Sequence, residues 1–174
     1  MRKRIAFGVV GLAVAAVVAI VVVRWGDRAS DGGAGSGSVG ASSSGLGPLV
    51  EEFRSTERTC IQRFNAALRE QREGAIDELE LSNTIERDVL EPWRALRAKI
   101  GSAEPQDELY VTLRRYLELR QLSWEAYVTA LRAPSDDAAR PHYEAHRQKN
   151  GEAQEQAQIL GRLFREAAVR AGGS

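Results

Sequence analysis

Cysteine, histidine and methionine are nearly absent from this chain of 174 residues, which contains one cysteine, two histidines and one methionine. A single cysteine cannot form an intramolecular disulfide, so the fold has to be held by its core alone. Cys60 also lies far from the apolar segment near the N-terminus, which excludes a lipid anchor at the end of that segment. Because Cys60 falls on an apolar stripe, we expect it to be a small buried hydrophobic residue.

An excess of either charge is also lacking. The whole chain has 24 basic and 24 acidic residues, and residues 48–174 alone have 19 basic and 22 acidic residues. A protein that binds nucleic acid would need a basic surface, so we expect no nucleic-acid partner.

No pattern of residues typical of catalysis is found in the sequence. It has no nucleophile grouped with a base and an orienting residue, no glycine-rich loop after a strand and no C-x-x-C-H haem motif. We therefore predict that the protein is not an enzyme and has no cofactor.

A long uncharged segment is present near the N-terminus. Three basic residues at positions 2–4 precede "IAFGVVGLAVAAVVAIVVV", which covers residues 5–23 and is followed by Arg24 and Trp25. These 19 residues would span about 28 Å as a helix, close to the thickness of the hydrocarbon core of a bilayer. A cleaved signal peptide, the alternative, usually has a shorter apolar part and an A-x-A-like cleavage site. The sequence predicts an uncleaved transmembrane signal anchor over residues 5–25.

The distribution of positive charge predicts the orientation of this span. Residues 1–4 carry three basic side chains, whereas Arg24 and Arg28 are partly offset by Asp27. By the positive-inside tendency, residues 1–4 form a short cytoplasmic tail and the remainder lies on the other side of the membrane. The composition, rich in arginine, alanine and glycine, suggests a high-GC bacterial source. We expect a single-pass protein of the inner (cytoplasmic) membrane with a periplasmic or extracellular domain.

Small residues recur every four positions within the span, at Gly11, Ala15 and Ala19. A row of this kind lets two membrane helices pack closely, so self-association is a further expectation. Beyond the span, residues 26–47 are dominated by glycine and serine and predict a flexible linker with a reach of about 26 Å. A domain over residues 48–172 could therefore stand clear of the membrane.

This domain shows helical periodicity and no alternation typical of strands. Apolar residues recur at spacings of three and four along four segments. The first segment is expected to begin near Pro48, continue to about Arg72 and stop at Gly74.

The start of the second helix is open, although Gly101 marks its end. Asn83 and Glu86 have the spacing of a capping box, while Ile76 favours an earlier start. Pro92 lies inside the pattern and would bend the helix unless the helix begins close by.

The third helix is expected to open at Pro105, and the fourth to follow the turn at residues 133–137. Pro141 is compatible with the fourth helix only near its start or at a kink. Within the third helix, arginines and aromatic residues are interleaved in "RRYLELRQLSWEAY" at residues 114–127 and could form an interaction surface. Glu118 and Glu125 among them favour an ordinary solvated face instead. Four helices with short connections predict an all-α fold, an antiparallel up-down-up-down four-helix bundle tethered to one N-terminal transmembrane helix.

Polar residues interrupt the apolar stripes of all four helices at about half their height. They are Glu57, Glu86, Arg120, His146 and Asn150. An unpaired buried charge is costly, so we expect Arg120 to lie between the two glutamates. Such a polar core layer could fix the register of the helices or bind a ligand; alternatively, the stripes are rotated and these residues are solvated.

"HYEAH", residues 142–146, contains both histidines of the chain. On a helix, His142 and His146 share a face, which makes them weak candidates for a metal site. Glu144 is rotated by about 200° from His142 and cannot join them. Arg120 in the same layer would repel a cation and compete for carboxylates, so we predict no bound metal.

These features favour a non-catalytic module for protein interaction or envelope assembly, with a protein partner of unknown identity. The alternatives are a ligand-sensing extracytoplasmic bundle that signals through a partner, and a metal-binding bundle.

Overall fold

A computed structural model of the chain describes residues 46–102 and 107–172. These residues form four helices that include 92% of them, and no strand occurs among them. The prediction of an all-α fold is confirmed for this part of the chain. The predicted tail, span and nearly all of the linker, at residues 1–4, 5–25 and 26–47, lie outside the described residues. Within the described ranges, no helix combines the length and the apolar character needed to cross a membrane.

Helix α1 covers Leu46–Arg72. It ends as expected at Gly74, which has a φ of 77°, a conformation that side chains with a Cβ atom rarely adopt. After this turn, the N–H of Ala75 donates to the carbonyl of Glu70 at 2.8 Å and satisfies the end of the helix.

Helix α2 covers residues 78–102 in three consecutive segments, which are α-helical Glu78–Ile85, π-helical Glu86–Leu90 and α-helical Glu91–Ser102. It begins early, because Asp77 caps it by accepting from the N–H of Glu80 at 2.8 Å. The spacing of Asn83 and Glu86 therefore does not mark a helix start. The π-helical turn ends at Leu90, two residues before Pro92, and a wider turn relieves the clash between a proline ring and the carbonyl four residues earlier.

Helix α3 covers Glu108–Leu131 and helix α4 covers Asp136–Gly172. Asp107 caps α3 by accepting from the N–H of Tyr110 at 3.0 Å. Pro141 lies inside α4, in its second turn.

Successive helices run in opposite directions. Between α1 and α2, Glu52 pairs with Lys99 and Arg63 pairs with Asp88, so later residues of one helix contact earlier residues of the next. The same reversal relates α2 to α3 and α3 to α4. Helices α1 and α3 are consequently parallel.

Helix α3 is buried on most of its circumference, because it contacts each of the other three helices. Its buried residues are Tyr110, Thr112, Leu113, Tyr116, Leu117, Leu119, Arg120, Gln121, Ser123, Trp124, Val128 and Ala130. The interpretation of residues 114–127 as an ordinary solvated face is thus wrong for half of that segment. The arginines and glutamates there suggested exposure, but the aromatic residues between them pack against α1 and α2.

The beginning of α1 and the end of α4 lie at the same end of the domain, where the rings of Phe53 and Phe164 stack with centroids 6.4 Å apart. The backbones of α1 and α4 approach each other much less closely than those of α3 and α4. Side chains rather than close backbone packing therefore fill the seam between α1 and α4.

Candidate functional site

Arg120 is the most enclosed charged residue among those described, with 4% of its surface exposed. It lies on α3 one turn from Tyr116 and one turn from Trp124. The guanidinium carbon is 5.5 Å from the centroid of the Tyr116 ring and 5.7 Å from that of the Trp124 ring. These aromatic faces stabilise the cation by their quadrupoles.

One edge of the Arg120 guanidinium is bound to α4. Its Nη1 donates to Oδ1 of Asn150 at 2.5 Å. Neither Nε nor Nη2, both buried, has a hydrogen-bond acceptor among the described residues. Nε–H and Nη2–H form the edge of a guanidinium that can bind a carboxylate through two parallel hydrogen bonds.

Glu57 of α1 is close enough for the charge of Arg120 to act on it, but its carboxylate is bound by another residue. The hydroxyl of Tyr116 donates to Glu57 in a short hydrogen bond. Burial raises the pKa of Glu57, and the Tyr116 hydrogen bond and the charge of Arg120 oppose that rise. Burial also raises the pKa of Tyr116, which keeps its hydroxyl protonated as a donor.

Glu86 lies outside this group, so Arg120 does not sit between two glutamates as expected. Arg94 of the same helix donates to Glu86 at 2.5 Å and to Glu125 of α3 at 2.8 Å. The physical reason lies in the π-helical turn that begins at Glu86, because a π turn holds an extra residue and rotates the preceding residues relative to a regular helix. A regular helical repeat therefore predicts the wrong height and the wrong face for Glu86.

His146 binds α3 through its ring. Its Nδ1 lies 2.9 Å from the carbonyl oxygen of Ser123, to which it donates in the tautomer that carries a proton there. The Ser123 hydroxyl in turn donates to the carbonyl of His146 at 3.3 Å. Burial lowers the pKa of His146, and the hydrogen bond to the Ser123 backbone opposes this effect. A neutral His146 thus links α3 to α4 beside Arg120.

Ser123 was not among the residues predicted to form the layer. It is fully buried and lies three residues after Arg120, on the side of α3 that faces α4. The sequence signal that could have identified Ser123 is a small hydroxyl residue within a stripe of large apolar residues. A small side chain at such a position permits two helices to approach closely.

The described residues contain no group of three or more His, Cys, Asp or Glu side chains that could hold a metal ion. His142 is half-buried, and Glu144 is exposed on another side of α4. Nothing in the described geometry favours a metal at the two histidines.

Cys60 is buried completely, and its thiol lies 3.6 Å from the carbonyl of Val89 on α2. Burial raises the pKa of this thiol to about 11. A thiol of this kind is protonated near neutral pH and packs as a small hydrophobic group, as predicted.

A shallow groove runs between α1 and the start of α2. Its lining includes Arg63, Arg87 and Asp88, and both arginines pair with Asp88, at 3.7 Å and 2.8 Å. Because these charges pair with one another, the groove presents no unpaired charge from these three residues to a ligand.

Comparison with known proteins adds no family, because no protein-family model, no curated protein and no solved structure matches this chain significantly. The group formed by Arg120, Asn150, Tyr116, Glu57 and His146 is therefore identified by its geometry alone, and we call it the Arg120 cluster.

Proposed function

We propose that this protein is a membrane-anchored module that binds another protein or takes part in assembling the cell envelope. In this proposal, residues 5–25 span the inner membrane with residues 1–4 in the cytoplasm. Residues 26–47 form a flexible linker, and residues 48–172 form an up-down-up-down four-helix bundle on the other side.

The observation that carries the proposal is the filled interior between α1, α2 and α3. The Trp93 ring meets the rings of Trp124 and Tyr116 edge to face, with centroids 5.0 Å and 6.1 Å apart. Its Nε1–H donates to the carbonyl of Leu117 at 2.9 Å. Since this interior is filled by side chains, a partner as large as a protein would have to contact the outer surface.

Topology is the first test, and the lone cysteine makes it simple. In a Cys60→Ala background, Ser43→Cys places a thiol in the linker and Lys3→Cys places one in the tail. A membrane-impermeant maleimide added to intact cells with a permeabilised outer membrane should label the first variant and not the second. Labelling of Lys3→Cys alone would reverse the orientation, and recovery of the full chain in the soluble fraction would exclude the anchor.

Partner binding is tested by photo-crosslinking of the full chain in membranes. Leu79 and Val111 have exposed fractions of 62% and 61% and can each be replaced by a photoreactive amino acid without disturbing the core. A discrete crosslinked product from one surface, absent from the other, would support a specific partner. The absence of a discrete product from every exposed helix face would contradict the proposal.

A further inference from the structure

We propose that the groove between α1 and the start of α2 is the contact surface of a homodimer, in which two copies of this chain face each other with their helices antiparallel. This inference goes beyond the proposed function and does not depend on it, because the contact lies between two helical domains and requires neither the membrane span nor another protein.

The first observation is that the groove is open and partly apolar. It has a volume of about 340 Å³, and the apolar part of its lining is formed by Ala66, Ala67 and Ile76. The two alanines are small, so the helices of a second molecule can approach this surface closely. The aliphatic stems of long charged side chains can cover such a surface while their charged ends remain in water.

The second observation is that the charges along the groove are separated by sign. At one end, Arg63 and Arg87 share the single carboxylate of Asp88, so this end keeps one net positive charge although its groups are paired. Glu70 and Glu80 line the other end; both are exposed, and neither forms an ion pair with another described residue. On each helix, seven residues separate the arginine from the glutamate, which corresponds to a rise of about 10 Å.

The third observation is that this pattern is complementary to itself. A two-fold axis that lies in the contact plane, perpendicular to the helices, brings the groove of a second copy face to face with the first in the opposite direction. Arg63 of each copy then faces Glu70 of the other, and Arg87 faces Glu80. The axis passes halfway between the paired positions, close to Thr84 on α2.

Opposite charges at both ends fix the register of such a dimer. Exposed ion pairs add little individually, but like charges in contact are costly, so the parallel arrangement of the two copies is disfavoured. A small ion could use only one end of the groove. Both ends together match a surface whose charges have the same separation and the opposite order, and the chain itself supplies such a surface.

The first test is disulfide crosslinking of the purified full chain in a non-ionic detergent. In a Cys60→Ala background, Thr84→Cys places a thiol close to the two-fold axis, where it would meet the same position of the second copy. Mild oxidation should therefore produce a disulfide-linked dimer. Val111→Cys is the matched control, because this position on α3 has an exposed fraction of 61% and does not line the groove, and it should give no dimer.

Charge reversal tests the register. Glu80→Arg and Arg87→Glu, each combined with Thr84→Cys, should lower the yield of crosslinked dimer about tenfold, because like charges then face each other on both sides of the axis. A mixture of the two variants, one of them with a longer tag, should restore the yield. In the mixed dimer, arginines at positions 80 and 87 of one copy would face glutamates at both positions of the other. Both positions are exposed, so unchanged circular dichroism should show that each variant folds.

The inference would be overturned by the absence of a dimer with Thr84→Cys, by an equal yield with Val111→Cys, or by a mixture that crosslinks no better than the single variants. Yields that ignore both charge reversals would also overturn it, and a dimer held by residues 5–25 alone would behave in that way. Oxidation of membranes that links Thr84→Cys to a different protein, and not to itself, would assign the groove to that protein instead. The charge reversals do not alter the predicted anchor, so these results are independent of the topology test.

Discussion

A guanidinium bound to an amide instead of a carboxylate is an unusual choice for an enclosed position. The Arg120 guanidinium donates to the Asn150 amide, which supplies only a dipole, while the buried Glu57 carboxylate, on which the charge of Arg120 acts, accepts a hydrogen bond from Tyr116. Replacing a poorly compensated buried charge by apolar side chains is often neutral or stabilising, whereas removing only its partner is destabilising. Single and double substitutions in the Arg120 cluster should therefore differ clearly in their effect on the free energy of unfolding.

We predict that Asn150→Ala lowers the free energy of unfolding by about 3 kcal/mol, because it leaves Arg120 with a third unpaired group. The double variant Arg120→Met/Asn150→Leu should recover wild-type stability or exceed it by about 1–3 kcal/mol. Urea unfolding of residues 41–174 in carboxylate-free buffer measures both values. A double variant less stable than Asn150→Ala would show that Arg120 has stabilising partners beyond Asn150.

His146 should make stability depend on pH. Its pKa in the folded protein is below the usual 6.5, because burial disfavours the charged ring. The unfolded chain therefore takes up the proton first, and stability falls as the pH drops below about 6.5, by at most about 1.4 kcal/mol per pH unit.

The fall continues until the pH reaches the lower folded-state pKa, below which this contribution is fully lost. His146→Gln should abolish this part of the dependence in urea titrations at several pH values. His142→Gln is the matched control, since it removes the histidine that is not bonded to Ser123. A dependence that disappears in His142→Gln instead would contradict the assignment.

At the scale of single elements, α2 combines two helical geometries, α and π, because a proline lies in its interior. A proline needs no carbonyl partner, and its ring requires space behind it, which the π-helical turn at Glu86–Leu90 supplies. Pro92 itself is exposed, so it lies on the side of α2 that faces solvent.

Two glycines should respond oppositely to the same substitution. Gly74 has a φ of 77° in the turn after α1, so Gly74→Ala should lower the free energy of unfolding by about 1 kcal/mol through backbone strain. Gly151 lies inside α4, and an added methyl group there would meet no neighbouring atom within 4 Å. Gly151→Ala should therefore raise the free energy of unfolding by about 0.5–1 kcal/mol. Thermal and urea unfolding of the two variants provide the comparison; changes of equal sign would contradict this account.

Sequence periodicity was sufficient to predict the position of a helix where its end has a simple chemical signal. Gly74 ended α1 where expected, and Cys60 was correctly placed in the core. Periodicity failed at Glu86, because it assumes one helical repeat and the π turn changes that repeat within α2. It also failed for α3, since an apolar stripe predicts burial on one side and cannot reveal contacts with three other helices.

The Arg120 cluster illustrates the same limit for the candidate site. A count of residues from the turns brought Arg120, Asn150 and His146 to one height, and the structure places them together. That count could not reveal that Tyr116 would take the Glu57 carboxylate, because this contact depends on how α1 and α3 are rotated about their axes.

The helical domain as a whole is connected by aromatic contacts that cross between helices. The Phe64 ring of α1 meets the rings of Trp124 and Tyr127 on α3, with centroids 5.9 Å and 5.7 Å apart. The His146 ring of α4 lies 5.0 Å from that of Tyr127. Ring contacts therefore join α3 to both α1 and α4.

We predict that residues 41–174 unfold in a single transition, with equal midpoints for tryptophan fluorescence and far-ultraviolet circular dichroism. Phe64→Ala should lower both midpoints together, because the loss of this half-buried ring costs about 2 kcal/mol. Leu79→Ala, at an exposed position, serves as the control and should leave them unchanged. A helical signal that persists after the fluorescence transition would show that α3 and α4 are stable alone.

Because the beginning of α1 and the end of α4 lie at the same end of the domain, the two helices would respond to mechanical load in a particular way. A force applied between these two ends would peel α1 from α4 along their seam, breaking the contact of Phe53 with Phe164 first and then one layer after another. Such a geometry yields at lower force than one in which two helices must slide past each other. A load transmitted to both ends would thus reach the seam beside Arg120 before the aromatic contacts around α3 give way.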